Sequence, residues 1–186
     1  MFYQIAALLL QVAFGLVAGI CLLRLYMQYQ RIAMSARSGN PLGPFIFALT
    51  DWLILPLRKV IPPMGRLDMA SLVGAFVVLL VQYFLLWLLA GGQGGLATIP
   101  VLALFGLARL ALTGLSGLVI VYAVLSWVQA DSVLAGMVAR LVAPMLQPIR
   151  RVLPLVGGID LSPLVLLVLL QVAGIVLESL LGALIV

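Results

Sequence analysis

One thirteen-residue stretch occurs twice in this 186-residue chain, each time immediately before a long apolar run. Pro56-Leu57-Arg58-Lys59-Val60-Ile61-Pro62-Pro63-Met64-Gly65-Arg66-Leu67-Asp68 returns as Pro148-Ile149-Arg150-Arg151-Val152-Leu153-Pro154-Leu155-Val156-Gly157-Gly158-Ile159-Asp160, every counterpart displaced by 92 residues (56 to 148, 68 to 160). Two prolines, two adjacent cations, a glycine and an aspartate keep their places. A polar, proline-bounded segment that twice abuts an apolar run reads as a collar at a membrane boundary. It restricts the chain to folds made of two like membrane units.

Composition agrees. With 66% hydrophobic residues, 8% charged residues and a mean hydropathy of +1.34, the chain has too little polar surface to cover a water-soluble globule. The net charge of +5 could suggest nucleic acid, but the basic residues lie in short loops beside apolar runs. Anionic headgroups are the nearer partner there, and no nucleic acid is expected. The chain has no histidine and one cysteine, Cys21, so it can build neither a disulfide framework nor a Cys/His metal site, and no cofactor is implied. The amino-terminal apolar run has no preceding cation, and its nearest charge, Arg24, follows it. This is the polarity of an uncleaved first span with a translocated amino end.

In chain order, residues 2–23 form an apolar run long enough, at about 1.5 Å per residue, to cross a hydrocarbon core of roughly 30 Å. Within it Gly15 and Gly19 form a G-x-x-x-G pair, read as intramolecular packing rather than a dimer face. Arg24, Tyr26, Tyr29 and Arg31 mark an interface, and Asn40-Pro41 opens a short helix as N-cap and first turn. That helix carries Phe45, Leu49 and Leu53, with Thr50, Asp51 and Arg58 near one side. Pro56 should end it, and it suits a helix lying in the interface plane. Residues 69–90 are the second span, with the Asp68 carboxylate placed to meet free helix amides. After an uncharged glycine turn at 91–95, Pro100 and Arg109 suggest a loop or surface helix before a third span at 107–128. Asp131-Ser132 caps a second interfacial helix, with Leu134, Met137, Val138 and Leu141 at helical spacing, broken by Pro144 and Pro148. Residues 161–185 are the fourth span, with Pro163 tolerated in its first turn.

The expected fold is therefore an all-α membrane protein of four transmembrane helices. Two parallel two-span repeats, residues 1–92 and 93–186, each carry an amphipathic interfacial helix. Tyr29 aligns with Trp127 at a displacement of 98, so the first connection is six residues longer than the second. Both collars fall on the side that holds nearly all the cations, Arg109 being the exception. The positive-inside rule puts the collars in the cytoplasm and both termini outside it.

The duplicated pattern P-x-R-(R/K)-x-(I/L)-P-x-x-G-x-x-D in a four-span chain resembles the YggT family, called YlmG in other bacteria and plastids. The likeness runs from Leu22-Leu23-Arg24 through Thr50-Asp51 to the last span. The second collar is the closer copy, matching at Pro148, Arg150, Arg151, Pro154, Gly157, Gly158, Asp160, Ser162 and Pro163. The first has Trp52, Arg66 and Ala70-Ser71 where the family has proline, glycine and Ser-Pro. The resemblance implies a bacterial inner-membrane protein linked to cell division, envelope organisation and osmotic-stress tolerance, and in plastids to cytochrome-complex assembly and nucleoid distribution. It implies no catalytic residues.

The residues support a non-catalytic organising or assembly factor. Paired aspartates at a membrane boundary could activate water, but Asp68 and Asp160 each start a span, and neither has the preceding glycine pattern of intramembrane aspartyl proteases. Capping, with ion pairs to Arg58 and Arg150, explains them more simply. The span interiors hold Gln82, Gln171, Thr113 and Ser116, little for a dehydrated ion, so a small ion channel or transport accessory is the alternative reading. Glu178 lies about 27 Å along its helix from Asp160 and so near the outer face, as Arg109 does, where a weak contact between the two would be a fastening rather than a pathway. Arg58-Lys59 and Arg150-Arg151 are expected to bind anionic lipid or a cytoplasmic or membrane partner, with Pro56, Pro62, Pro148 and Pro154 holding the collars rigid and Gly65 keeping its place in the motif. A homo-oligomer is the expected assembly.

Overall fold

The computed structural model describes residues 2–35, 40–62, 65, 67–92, 95–128, 131–153 and 160–185, which contain six α-helices. They are α1 (Phe2–Tyr29), α2 (Leu42–Val60), α3 (Met69–Leu89), α4 (Ile99–Trp127), α5 (Val133–Val152) and α6 (Ser162–Ile185). Five of them, all but α2, are long and apolar enough to cross a membrane. The chain is an all-helical membrane protein.

The second and fourth runs form helices where expected, as α3 and α6. The first helix is longer than residues 2–23, because Arg24 does not leave it for an interface. It runs one and a half further turns and closes in a Schellman motif: Ile32 N–H donates to the Met27 carbonyl and Arg31 N–H to that of Gln28, with Arg31 at φ 55°. Helix α3 ends in the same way on Gly91, at φ 82°, where glycine adopts the left-handed conformation without a Cβ clash. The start at residue 107 is likewise too late. Helix α4 begins at Ile99 with Pro100 in its first turn, a position that needs no amide donor.

Neither α2 nor α5 stops at its proline. Pro56 lies inside α2, and both Pro144 and Pro148 lie inside α5. A proline within a helix costs about 3 kcal/mol, through the lost amide and the clash with the carbonyl four residues back. In α5 packing opposes that cost: Met137, Val138, Leu141, Val142 and Leu146 are all buried among the neighbouring helices, contacts kept only if the helix continues through both prolines. The helices begin as their caps predict: Asn40 Oδ1 accepts the amides of Leu42 and Gly43, and Ser132 accepts that of Ala135 at 3.1 Å.

Helix α1 packs chiefly on α3, and α4 on α6, while α3 and α4 join the two pairs. A cluster built around Ala18, Cys21, Ile54, Ala75, Leu79 and Ala103 fills the space among α1 to α4. Val119, Val138, Leu146 and Leu166 do the same among α4, α5 and α6. A third cluster, with Met27, Ile46, Met137 and Leu141, links α1 and α2 to α5. It brings the ends of α2 and α5 together beside the foot of α1. Gly43 touches the backbone of Met34 so closely that a Cβ there would overlap its carbonyl.

Candidate functional site: the collars and a buried arginine

Each collar is an ion pair between residues ten apart. The cation sits in the last turn of α2 or α5, where the helix dipole favours it, and the aspartate precedes the next long helix. In the first collar Arg58 Nη2 donates to Asp68 Oδ2, and the Ser71 hydroxyl donates to the same oxygen at 2.7 Å. The Gln28 amide, oriented to suit both neighbours, donates to Asp68 Oδ2 at 2.8 Å and accepts from Arg58 at 2.9 Å. Asp68 is only 5% exposed. Burial alone would raise its pKa, but the hydrogen bonds from Arg58 and Ser71 and the Arg58 charge outweigh it and hold the carboxyl below its ordinary value.

In the second collar Arg150 Nε and Nη2 both donate to Asp160 Oδ2, at 2.9 and 2.6 Å, and Nη2 also donates to the Tyr122 hydroxyl at 2.7 Å. Asp160 Oδ1 accepts the Ser162 amide at 2.9 Å, which ties the carboxylate to the start of α6. Burial again opposes ionisation and is outweighed, here by Ser162 and Arg150, so the Asp160 pKa is also lowered. This pair is more exposed than the first. Asp68 differs from expectation: it stands at the N-cap of α3, but its carboxylate accepts no helix amide. Arg58 and Ser71 take its oxygen instead, and its backbone carbonyl receives the amides of Ser71 and Leu72.

The structure therefore divides each cationic pair. Arg58 and Arg150, although partly exposed, are each paired with an aspartate, whereas Lys59 and Arg151, also exposed, make no ion pair among the described residues. Gly65 adopts φ 61°, a turn that its glycine accommodates, and Pro62 is exposed beside it. Ser162 and Pro163 are buried in the first turn of α6. Pro154, Gly157 and Gly158 lie outside the described residues.

A second polar centre has no counterpart among the expected sites. Arg24, 1% exposed, donates through Nη1 to the Thr50 hydroxyl and to Asp51 Oδ1, both at 2.6 Å, with its guanidinium 4.9 Å above the Phe47 ring. Thr50 in turn donates to the Ile46 carbonyl. The cluster fastens α1 to α2. Its partners lie 26 and 27 residues away in sequence, a separation that no local pattern encodes. The signal available was the register: Tyr122 occupies Arg24's place at the displacement of 98, and Tyr122 is the residue that receives Arg150. At the opposite ends of α4 and α6, Arg109 and Glu178 do approach, at 3.4 Å.

These arrangements can hold helices in register and present cations. Asp68 and Asp160 are each already committed to the arginine of their own collar. Among the described residues no three of His, Cys, Asp and Glu come together in a way that could hold a metal ion.

The family model described as CCB3/YggT matches residues 3–89 and 101–181. A Vibrio alginolyticus protein described by its place in the proC 3′ region is 34% identical over 177 residues, covering 94% of either chain. The Escherichia coli (strain K12) protein described as uncharacterized protein YggT is 36% identical over 170 residues, 88% of this chain and 84% of its own. A Pseudomonas aeruginosa protein described as uncharacterized is 34% identical over 163 residues, 86% of this chain and 81% of its own. No solved structure matches the chain. With the family model covering both collars and most of every helix, the chain belongs to the CCB3/YggT family.

Proposed function

We propose that this protein is a non-catalytic organising or assembly factor of the bacterial inner membrane, linked to cell division or envelope organisation and to osmotic-stress tolerance. It is built as two parallel repeats, 1–92 and 93–186, with α1, α3, α4 and α6 as spans and α2 and α5 in the cytoplasmic interface. Helix α2 supports the interfacial reading, being outside the five helices apolar enough to cross. Helix α5 is the least apolar of those five, carries Arg140, Arg150 and Arg151, and is α2's counterpart in the repeat. The cation excess at the collars supports a cytoplasmic face there, with both termini periplasmic.

The observation that carries the functional reading is the division of labour in the cationic pairs. One cation of each pair braces the fold and its neighbour stays exposed at the same end of the molecule, on a proline-stiffened segment. Such a surface suits anionic headgroups or a membrane partner. Affinity capture in mild detergent tests it, comparing the native chain with Lys59→Gln/Arg151→Gln. Loss of co-purifying partners and anionic lipid from an intact, folded variant is expected. Saturable ion flux through liposomes carrying the purified chain would instead favour a conducting role.

A further inference from the structure

Polar side chains within membrane spans almost always face a bundle interior. In this chain several do not. Arg109 and Glu178 form their ion pair at 3.4 Å while 71% and 61% exposed. Thr113, one turn along α4 from Arg109, is exposed, as is Gln171, two turns before Glu178 on the same face of α6. Gly117, one further turn along α4, opens onto empty space. Arg109 lies thirteen residues, about 20 Å, along α4 from Tyr122, which meets the second collar through Arg150. Glu178 lies eighteen residues, about 27 Å, along α6 from Asp160, so the pair sits toward the outer edge of a core of roughly 30 Å, with Thr113 and Gln171 deeper in it.

The first repeat offers a contrast. At the displacement of 98, Gln11, Gly15 and Gly19 stand where α4 has Arg109, Thr113 and Gly117, and Leu86 stands where α6 has Glu178 at 92. The small residues keep their register, and the charges belong to the second repeat alone.

The geometry points to the α4–α6 face as the contact with a second copy of this chain, related by a two-fold axis along the membrane normal. The argument for that occupant is charge. The face is neutral overall, with one cation and one anion side by side, so a two-fold rotation sets Arg109 against Glu178 of the partner subunit and Glu178 against Arg109 of the partner subunit. The amide of Gln171, the Thr113 side chain, whose hydroxyl donates to the Arg109 carbonyl at 2.9 Å, and the open surface at Gly117 then meet protein in place of acyl chains. The inference rests on the reading of α4 and α6 as spans.

The test is disulfide crosslinking in native membranes, in a Cys21→Ala background. Thr113→Cys should give at least roughly tenfold more dimer than Leu8→Cys, an equally lipid-exposed position on α1. Charge reversal supplies the second arm, on full-length chains carrying different tags. Arg109→Glu leaves a face with two acids and Glu178→Arg a face with two bases, so each alone should lose dimer by about tenfold, and the two co-expressed should pair with each other. Equal crosslinking at Thr113→Cys and Leu8→Cys overturns the interface, as does co-expression that yields no more pairing than either variant alone. Labelling of Thr113→Cys by a membrane-impermeant thiol reagent overturns the span reading as well, whereas a protected, uncrosslinked thiol overturns the interface only.

Discussion

Arg24 and Asp51 form an ion pair in which the cation is almost wholly enclosed and the anion is partly open, with side-chain exposures of 2% and 38%. The asymmetry decides what their loss would do. Removing Asp51 leaves a buried guanidinium with, among the described residues, the Thr50 hydroxyl and the Phe47 ring, whereas removing Arg24 leaves a carboxylate that water or headgroups can reach. Breaking a buried pair by deleting one partner costs about 3–5 kcal/mol. Asp51→Ala should approach that range and Arg24→Met should fall well below it. Thermal unfolding followed by helical circular dichroism in detergent gives the order, and equal losses would show that Arg24 is solvated through a route the packing does not reveal.

Acid should loosen both collars. Asp68 and Asp160 have folded-state pKa values below their ordinary ones, so the unfolded chain binds protons more readily than the folded chain as pH falls. Their stabilisation is fully present above the ordinary carboxylate range, near pH 4, and is lost as pH drops through the lowered folded values. Asp68 has the deeper site, so Asp68→Asn should lower stability at pH 7 more than Asp160→Asn does. Melting temperature measured from pH 7 down to pH 3 should fall less steeply in either variant than in the parent. A parent curve with no decline would remove the ion pairs from the stability argument.

Helix α5 is held to α1 by the hydrogen bond from the Tyr26 hydroxyl to the Leu141 carbonyl, at 2.7 Å. This carbonyl adjoins that of Arg140, whose helical donor Pro144 cannot supply. The bond thus serves the stretch of α5 that the proline weakens, and it ties α5 to α1 across 115 residues of chain. Tyr26→Phe should cost about 1 kcal/mol and speed hydrogen exchange through the middle of α5. Exchange that accelerates equally in α2 would mean that the bond is not specific to α5.

What the sequence made legible follows from where the deciding forces are local. Helices α3 and α6 were readable because an aspartate and a long apolar run set their start and extent, and the cap at Asn40 because its donors are two and three residues away. The ion pairs of Arg58 and Arg150 were readable because their partners are ten residues on. The prolines of α2 and α5 misled because a local rule about lost amides was overridden by burial of the opposite helix face, which is a tertiary term. Pro100 misled in the other sense, since the same missing amide is harmless in a first turn. Arg24 was read as a boundary because a lone cation ends an apolar run, and only packing reveals the Thr50 and Asp51 that neutralise it.

The last prediction separates the two cations of each collar. Arg58 and Arg150 hold their aspartates, so Arg58→Gln or Arg150→Gln should lower the melting temperature, with the larger effect at Arg58, whose partner is the more buried. Lys59 and Arg151 touch neither aspartate and are exposed, so Lys59→Gln or Arg151→Gln should leave the melting temperature unchanged. Their effect should appear in a different measurement. A cation near an anionic surface contributes about 1 kcal/mol, and the contribution is screened by salt. Retention of anionic lipid by the purified protein should therefore drop by roughly fivefold per neutralised residue at low ionic strength and converge with the parent at high salt. Arg58→Gln should retain lipid as the parent does once refolded at neutral pH, because its charge is already met by Asp68. If Arg58→Gln loses lipid as Lys59→Gln does, the charge of the whole segment matters and the division between bracing and presenting cations does not hold.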